Sequence, residues 1–265
     1  MRTKSAIKRV ENENSSLYDN EMQVSVIIPT YNRLKNLKET LNSVIVQTTL
    51  PKEIIIVDDS DDDKIKNLIE YKKSKFEKRR TLLKYIRNKK DKSLAIARNI
   101  GIENATGDII LFLDDDVILD KNYIKEILRV YKEYPKALGV QGYITNINLS
   151  KFWNKIAKMF FFSYLEKDKG RVLSSTNTTY PHSLDKVISC QWLSGSNHSY
   201  KRKVFQSFKF DENLKRYSYK EDVDLSYSIY KRYPNSLFIT PYARLIHKLS
   251  DKGRLPNKIL IYMKD

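Results

Sequence analysis

Two runs of carboxylates in this sequence have the character of a binding site, and each run follows a stretch of apolar residues. Residues 114–116 are three consecutive aspartates after the apolar run 109–113. Asp58 and Asp59 follow a second apolar run, 54–57. Neighbouring carboxylates repel one another, so a folded protein tolerates them best where a cation or a ligand neutralises the cluster. We therefore predict a site that binds a cation or a ligand, and the alternative is an acidic loop without function.

The elements that must position these carboxylates alternate along the first half of the chain. Predicted strands lie at residues 24–28, 53–57, 82–86, 107–113 and 137–144, and predicted helices lie at 34–45, 64–80, 91–104 and 121–134. This alternation is typical of an α/β fold with an open, mainly parallel sheet and right-handed crossovers. Ligands of such sheets bind beyond the carboxyl ends of the strands, which is where both acidic runs fall.

The second half of the chain is less regular. Its predicted elements are a long polar loop at 170–189, a helix from Glu221 to about Arg232, and short strands at 237–240 and 243–247. Composition and pattern together indicate a flexible arm at 1–21, a single domain at 22–250 and a tail at 251–265.

Composition limits the classes of protein that the chain can belong to. The net charge of +17 favours an anionic partner. A single cysteine, Cys190, excludes an internal disulfide and a cysteine-based metal site, and it favours a reducing compartment. We found neither the apolar core of a signal peptide nor a run long enough to span a membrane, so we expect a cytoplasmic protein. The aromatic and basic segment 151–171 adds the hypothesis of peripheral contact with the inner face of the membrane.

Six short motifs, in their order along the chain, resemble those of the family 2 glycosyltransferases, which have the GT-A fold. They are VIIPTYNR at 26–33, IVDDS at 56–60, ARN at 97–99, FLDDD at 112–116, SG at 194–195 and EDVDL at 221–225. The resemblance covers about residues 23–250. It implies a nucleotide-sugar-binding half at 22–120 and an acceptor and catalytic half at 121–250. The implied reaction moves a sugar, with inversion, from a nucleotide-diphosphate sugar, most favourably a UDP-sugar, to a hydroxyl of a glycan or a lipid-linked acceptor.

The resemblance also implies roles for residues of the donor half. The residues implied to bind the nucleotide are Thr30, Tyr31, Arg33, Asp58, Asp59, Arg98, Asp114 and Asp115. Among them, Asp59 would accept a hydrogen bond from the base, with Asp58 in support, and Arg98 would reach the nucleotide or the diphosphate. The aspartate run resembles the DxD motif, in which Asp116 is the preferred ligand of Mn²⁺ or Mg²⁺, together with Asp114 and His247. A hard divalent cation suits oxygen ligands and a diphosphate leaving group.

Asp222 matches the acidic residue that serves as the general base of this family. A carboxylate on the face opposite the leaving nucleotide can take the proton of the attacking hydroxyl, and the start of a helix favours its ionised form. N-terminal capping of the helix is the alternative role for Asp222. We expect Trp192 and Glu221 beside the acceptor. Two histidines, His182 and His198, and the single cysteine are interpreted as packing residues.

Four other functions compete with the sugar transferase. One of them, a degenerate transferase that serves as a scaffold, is disfavoured because the carboxylates are intact. A nucleotidyltransferase acting on sugar phosphates would normally carry a glycine-rich phosphate loop after its first strand, and the turn at 29–32 has no glycine. A basic module that binds nucleic acid would leave the acidic runs unexplained, because they repel phosphates, so we expect no nucleic-acid partner. A basic membrane-binding module is the fourth alternative, and it rests on segment 151–171.

Overall fold

A nine-stranded sheet forms the centre of the structure, with helices on both of its faces. The computed structural model describes residues 22–146, 170–173, 178–181, 184–214, 218 and 220–248. The strands in this part of the chain are β1 (Val24–Thr30), β2 (Glu53–Asp58), β3 (Leu82–Arg87), β4 (Ile109–Phe112), β5 (Val117–Leu119), β6 (Gly139–Ile144), β7 (Ile188–Cys190), β8 (His198–Lys201) and β9 (Leu237–His247). The helices are α1 (Leu34–Ile45), α2 (Lys64–Glu77), α3 (Leu94–Glu103), α4 (Tyr123–Glu133), a 3₁₀ helix (Arg202–Gln206) and α5 (Glu221–Arg232).

The strand order is β3-β2-β1-β4-β8-β6-β9-β5, and β7 pairs with β9. The first four strands are mutually parallel. Strands β6 and β9 run in the same direction as these four, whereas β5, β7 and β8 run in the opposite direction. The predicted α/β class with an open, mainly parallel sheet is therefore confirmed.

Two apolar layers, one on each face of the sheet, explain why the first strands are apolar throughout. In β1, Val26 and Ile28 pack in the layer beneath α1, α2 and α4, whereas Ile27 packs in the opposite layer with α3 and α5. Strands that are buried on both faces lose the alternation of apolar and polar residues. The same burial accounts for the apolar runs that precede both acidic clusters.

The structure differs from the sequence prediction mainly in the strands near the acidic run. Strand β5 has only three residues and directly follows the aspartates, so it is too short for a periodic pattern to predict it. The two short strands predicted near residue 240 form a single strand, β9, that continues through Pro241. The pairing of β6 with β9 shifts register beside Gly142, where a Cβ atom would come within 2.4 Å of the carbonyl oxygen of Ala243. Pro241 lies within the shifted part of β9, between Ile239 and Arg244, and as a proline it cannot donate a ladder hydrogen bond.

Several predictions concern parts of the chain outside the described residues. They are the arm at 1–21, the tail at 251–265, most of the aromatic segment 151–171, and His182. The division into these units stays a prediction. Within the described ranges, every helix is too short or too polar to cross a lipid bilayer.

Candidate active site

The two acidic runs lie side by side at the carboxyl ends of β1, β2 and β4, as the parallel sheet requires. The backbone N–H of Asp59 donates to the carbonyl oxygen of Thr30 at 2.9 Å, which joins the loop after β2 to the end of β1. The Thr30 hydroxyl donates to Asp115 Oδ2 at 2.8 Å, which joins β1 to the run after β4. The loops that follow three adjacent strands therefore form one surface.

A group of three possible metal ligands lies at this edge of the sheet. One ligand atom from each of Asp114, Asp116 and His247 falls within 4.8 Å of the others. His247 Nε2 lies 3.0 Å from Asp116 Oδ1 and 3.9 Å from Asp114 Oδ2. Strand β5 explains the approach of His247, because its first residue, Val117, pairs with His247 in an antiparallel ladder. Two carboxylates and an imidazole suit a divalent cation such as Mn²⁺ or Mg²⁺.

Arg33 and Thr30 hold the rest of the aspartate run. Arg33 Nη1 lies 2.8 Å from Asp115 Oδ1 and 2.5 Å from Asp116 Oδ2. Asp115 is buried, and its backbone carbonyl oxygen accepts a hydrogen bond from the Thr40 hydroxyl at 2.9 Å. Burial opposes the ionisation of Asp116, but His247 and Arg33 outweigh it and hold the pKa of that carboxyl below its ordinary value. Asp115 therefore links the run to β1 and α1, while Asp114 and Asp116 face His247.

The two carboxylates after β2 have different surroundings. Asp58 is fully buried and accepts hydrogen bonds from the backbone N–H of Ser60 and the hydroxyl of Tyr85, each at 2.9 Å. Asp59 is half-buried, and the amide of Asn88 donates to its Oδ1 at 2.7 Å. Burial raises the pKa of Asp59, and the Asn88 hydrogen bond opposes that rise. Asp58 thus stabilises the loop, and Asp59 is the more accessible of the two.

A second pair of carboxylates, Glu221 and Asp222, begins helix α5. The backbone N–H of Gly195 donates to Asp222 Oδ2 at 2.6 Å, and that of Val223 donates to Asp222 Oδ1 at 2.9 Å. Burial raises the pKa of Asp222, and burial also raises the pKa of Glu221 to about 7. A raised pKa makes the Asp222 carboxylate a stronger proton acceptor than an exposed aspartate, which suits a general base.

Arg98 joins the two carboxylate groups, which sequence reasoning did not foresee. Its guanidinium is buried, with Nη1 in an ion pair with Glu221 and Nη2 at 2.7 Å from the carbonyl oxygen of Gly195. Nη2 also lies 3.5 Å from Asp114 Oδ1. These contacts direct Arg98 towards the carboxylates, and its expected contact with the nucleotide stays a prediction. The ARN motif gave the position of this arginine but no information on its partners.

Half-buried aromatic residues adjoin the loop that contacts Asp222. The indole N–H of Trp192 donates to the carbonyl oxygen of Thr179 at 2.9 Å, and its ring centroid lies 6.3 Å from that of Tyr180. Tyr180 in turn stacks with Tyr143 at 6.2 Å. Trp192 is three residues before Gly195 in the chain, and its expected place beside the acceptor stays a prediction. Tyr31, on the donor side, is half-exposed, with Lys92 Nζ 5.2 Å from its ring centroid.

His198 and Cys190 have the packing roles that the sequence predicts. His198 is fully buried, and its ring centroid lies 4.9 Å from that of Phe112 in an edge-to-face arrangement. Burial lowers the pKa of His198 well below its ordinary value, so the imidazole is neutral. Burial likewise raises the pKa of the Cys190 thiol, which keeps it protonated and unreactive.

Comparison with known proteins gives the family and the fold of the chain. Residues 25–208 match the family model described as Glycosyl transferase family 2. An uncharacterized glycosyltransferase of Rickettsia felis is 40% identical over 195 residues, which are 74% of this chain and 28% of that protein. The chain spans between 18% and 28% of the length of the first curated relatives that it matches.

Two solved structures share the fold. The crystal structure of GalNAc-T7 with UDP, GalNAc and Mn²⁺ matches with a TM-score of 0.66 and 19% identity, over 86% of this chain and 44% of that one. The structure of residues 1–349 of S. aureus TarS in complex with UDP-GlcNAc matches with a TM-score of 0.61 and 20% identity, over 88% of this chain and 60% of that one. At these identities the likeness shows the fold alone, and the predicted GT-A architecture is confirmed.

Proposed function

The chain belongs to glycosyl transferase family 2, and from this premise we propose that it is a metal-assisted, inverting glycosyltransferase with Asp222 as its general base. The observation that carries the proposal is the approach of two carboxylate groups at one edge of the sheet. One group is Asp114 and Asp116 with His247, and the other is Asp222 with Glu221. Membership of a glycosyltransferase family argues against the nucleotidyltransferase and the two binding modules, because these functions do not transfer a sugar.

We propose that the donor is a nucleotide-diphosphate sugar and that uracil is its base. Asp59 has one carboxylate oxygen, Oδ1, bound to Asn88, and its other oxygen can accept a hydrogen bond from the ring N–H of a pyrimidine. Thr30, Tyr31 and Arg33 would line the base and the ribose. The similar structures of GalNAc-T7 and TarS contain UDP or UDP-GlcNAc, which supports uridine as the nucleoside.

Asp114, Asp116 and His247 would hold the divalent cation. When bound, Mn²⁺ or Mg²⁺ neutralises the negative charge that grows on the leaving diphosphate. Arg33 adds a fixed positive charge beside Asp116, because its guanidinium remains protonated. The residues fit a cation on chemical grounds, since one ligand atom from each of two carboxylates and an imidazole lies within 4.8 Å of the others.

Asp222 would take the proton of the acceptor hydroxyl as that oxygen attacks the anomeric carbon of the donor sugar. The new bond joins the acceptor oxygen to the anomeric carbon, and the bond from that carbon to the diphosphate oxygen breaks on the opposite side. The electron pair leaves with the nucleoside diphosphate, and the proton stays on Asp222. The N–H groups of Gly195 and Val223 fix the carboxylate for this transfer.

The acceptor would lie between Asp222 and the aromatic rings near Trp192. An indole face suits the apolar face of a sugar ring, which favours a glycan or a lipid-linked sugar as the acceptor class. Glu221 lies next to the base, but its side chain is buried against Arg98, so its effect on the acceptor would pass through Asp222.

The experiment combines donor binding with transfer. The melting temperature of the protein is measured with UDP-, GDP- and dTDP-sugars. We expect only the UDP-sugars to raise it, and to raise it more in the presence of Mn²⁺. Asp116→Asn should abolish the part of this shift that depends on Mn²⁺. Asp222→Asn should keep the shift and lower turnover by a factor of about 10² to 10⁴, the usual contribution of a general base. Asp224→Asn is the matched control, because this exposed aspartate lies two residues further along the same helix. Normal turnover by Asp222→Asn would refute the assignment of the base, and absence of any nucleotide effect would refute the donor.

A further inference from the structure

Arg98 is a buried cation at the centre of the site, and its three contacts come from three different segments. It extends from α3 to Glu221 on α5, to the carbonyl oxygen of Gly195 in the loop before β8, and to Asp114 after β4. Its guanidinium carbon lies 5.4 Å from the centroid of the Phe210 ring, which covers it. A buried guanidinium that joins three segments fixes their relative positions, because its fork of donors has a rigid geometry.

Gly195 connects Arg98 directly to the proposed base. Its carbonyl oxygen accepts from Arg98 Nη2 at 2.7 Å, while its N–H donates to Asp222 Oδ2 at 2.6 Å. A Cβ atom at this position would lie 3.1 Å from Asp222 Oδ2 and 3.2 Å from Arg98 Nη2. The glycine backbone therefore fills the space between the guanidinium and the carboxylate, and a displacement of Arg98 would displace Asp222.

Arg98 is also the positive charge with the largest effect on Asp222. The other groups that face Asp222 are Glu221 on the same helix, Asp114 after β4, and Tyr200 on β8, while His198 on β8 faces Arg98. Burial raises the pKa of Tyr200 and lowers that of His198, so both side chains are neutral near pH 7. Burial and the two neighbouring carboxylates disfavour the ionised form of Asp222, and the positive charge of Arg98 favours it.

We propose that Arg98 is a positioning residue for the transfer step, which keeps Asp222 oriented and ionised beside the metal-binding Asp114. The inference rests on the proposed function, in which Asp222 accepts the acceptor proton. It gives Arg98 a different task from the nucleotide contact that the ARN motif implies. It also gives the site a physical link between its donor and acceptor sides.

The experiment compares two substitutions of Arg98 by steady-state kinetics with a UDP-sugar and Mn²⁺. Arg98→Met removes the charge and the fork, and we expect kcat to fall about 100-fold or more while the KM and Kd for the donor change less than about threefold. The acid limb of the kcat profile should move to higher pH, because Asp222 loses its neighbouring cation. Arg98→Lys keeps the charge and loses the fork, so kcat should fall about tenfold with an unmoved acid limb. Lys72→Met is the control for loss of a buried cation outside the site, and it should leave kcat unchanged.

Three outcomes would overturn the inference. Near-normal kcat in Arg98→Lys would do so even if Arg98→Met fails to fold. If the Kd for the donor rose by the same factor as kcat fell, Arg98 would bind the nucleotide and would not position Asp222. A fall in kcat without movement of the acid limb in Arg98→Met would indicate a purely structural role.

A double-variant cycle separates this inference from the proposed function. If Arg98 acts through Asp222, then Arg98→Met should slow the Asp222→Asn enzyme by less than about threefold, although it slows the wild type strongly. Additive losses would overturn the positioning role while leaving Asp222 as the base. Normal turnover of Asp222→Asn alone would overturn Asp222 as the base, the part of the proposed function on which this inference rests.

Discussion

Replacing Glu53 with glutamine should destabilise the fold, and this prediction does not depend on the function. Glu53 begins β2 at the edge of the sheet opposite the acidic runs, and it is almost fully buried. Its Oε1 accepts from the Ser25 hydroxyl at 2.6 Å and from the backbone N–H of Thr106 at 2.7 Å. Its Oε2 pairs with Lys84 Nζ at 2.6 Å. One carboxylate thus joins β1, β2, β3 and the turn before β4.

The size of the effect follows from the ionisation of this carboxyl. Burial opposes ionisation, but the hydrogen bonds from Lys84, Ser25 and Thr106 outweigh it and lower the pKa of Glu53 from 4.5 to about 2. A depressed pKa stabilises the folded state above the unfolded pKa, and this stability is lost as the pH falls towards the folded pKa. At about 1.4 kcal/mol for a tenfold change in the ionisation constant, Glu53 contributes about 3 kcal/mol at pH 7. About 2 kcal/mol of this should be lost between pH 5 and pH 3.

Urea unfolding of the wild type and Glu53→Gln at several pH values tests this reasoning. The free energy of unfolding should differ by about 3 kcal/mol at pH 7, and by about 2 kcal/mol less at pH 3. Glu70→Gln, on the exposed face of α2, is the matched control and should change the stability by less than about 0.5 kcal/mol. A difference between wild type and Glu53→Gln that stays constant from pH 7 to pH 3 would refute the assignment of this stability to the ionised carboxyl.

Three further substitutions test the donor side, the acceptor side and the packing. Asp59→Asn should weaken UDP binding about 10- to 100-fold in calorimetry, because the base loses a charged hydrogen-bond acceptor, and unchanged affinity would argue against contact with the base. Trp192→Ala should raise the KM for the acceptor without changing that for the donor, and equal changes would contradict an acceptor role. Gly101→Ala should cost about 1 to 3 kcal/mol in urea unfolding, because the new Cβ would meet Ile27 Cγ2 at 2.4 Å, and a neutral result would mean that the helix can shift.

The parallel half of the fold could be predicted from the sequence because its signals are local and redundant. Strands β1 and β2 are apolar on both faces, and α1 has apolar residues at helical spacing. The rule that ligands bind at the carboxyl ends of parallel strands then placed Asp59 and the run 114–116 at one edge. The structure joins them through Thr30, whose carbonyl oxygen accepts from the N–H of Asp59 and whose hydroxyl donates to Asp115.

The family resemblance named His247 with Asp114 and Asp116, but local patterns could not show how the rest of the site assembles, because that depends on contacts between distant segments. His247 reaches Asp116 only because β5, a strand of three residues, pairs with the end of β9. Arg98 meets Glu221 across 123 residues of sequence, and the motif that contains it indicates no partner. Such contacts depend on the order of the strands in the second half of the sheet, where several strands are short and antiparallel, and local periodicity carries no information about that order.

The net charge of the assembled site predicts that the metal ion and the donor affect each other's binding. Five carboxylates face the guanidinium groups of Arg33 and Arg98 at this edge of the sheet. They are Asp114, Asp115, Asp116, Glu221 and Asp222. With the four aspartates ionised and Glu221, whose pKa is about 7, protonated, these groups carry a charge of 2 − 4 = −2. This charge repels a diphosphate, and a divalent cation reduces the repulsion. Donor and cation should therefore bind cooperatively.

Calorimetry can test this cooperativity in two independent titrations that must give the same coupling factor. Titrations with UDP should show that saturating Mn²⁺ lowers its Kd at least about tenfold, and linkage requires that UDP lowers the Kd of Mn²⁺ by the same factor. Asp116→Asn should reduce this coupling, because it removes a cation ligand and one of the repelling charges together. Asp224→Asn, which alters a charge outside the site, should leave the coupling unchanged. Equal affinity for UDP with and without Mn²⁺ would contradict the argument, since it would mean that the two arginines alone suffice to neutralise the site.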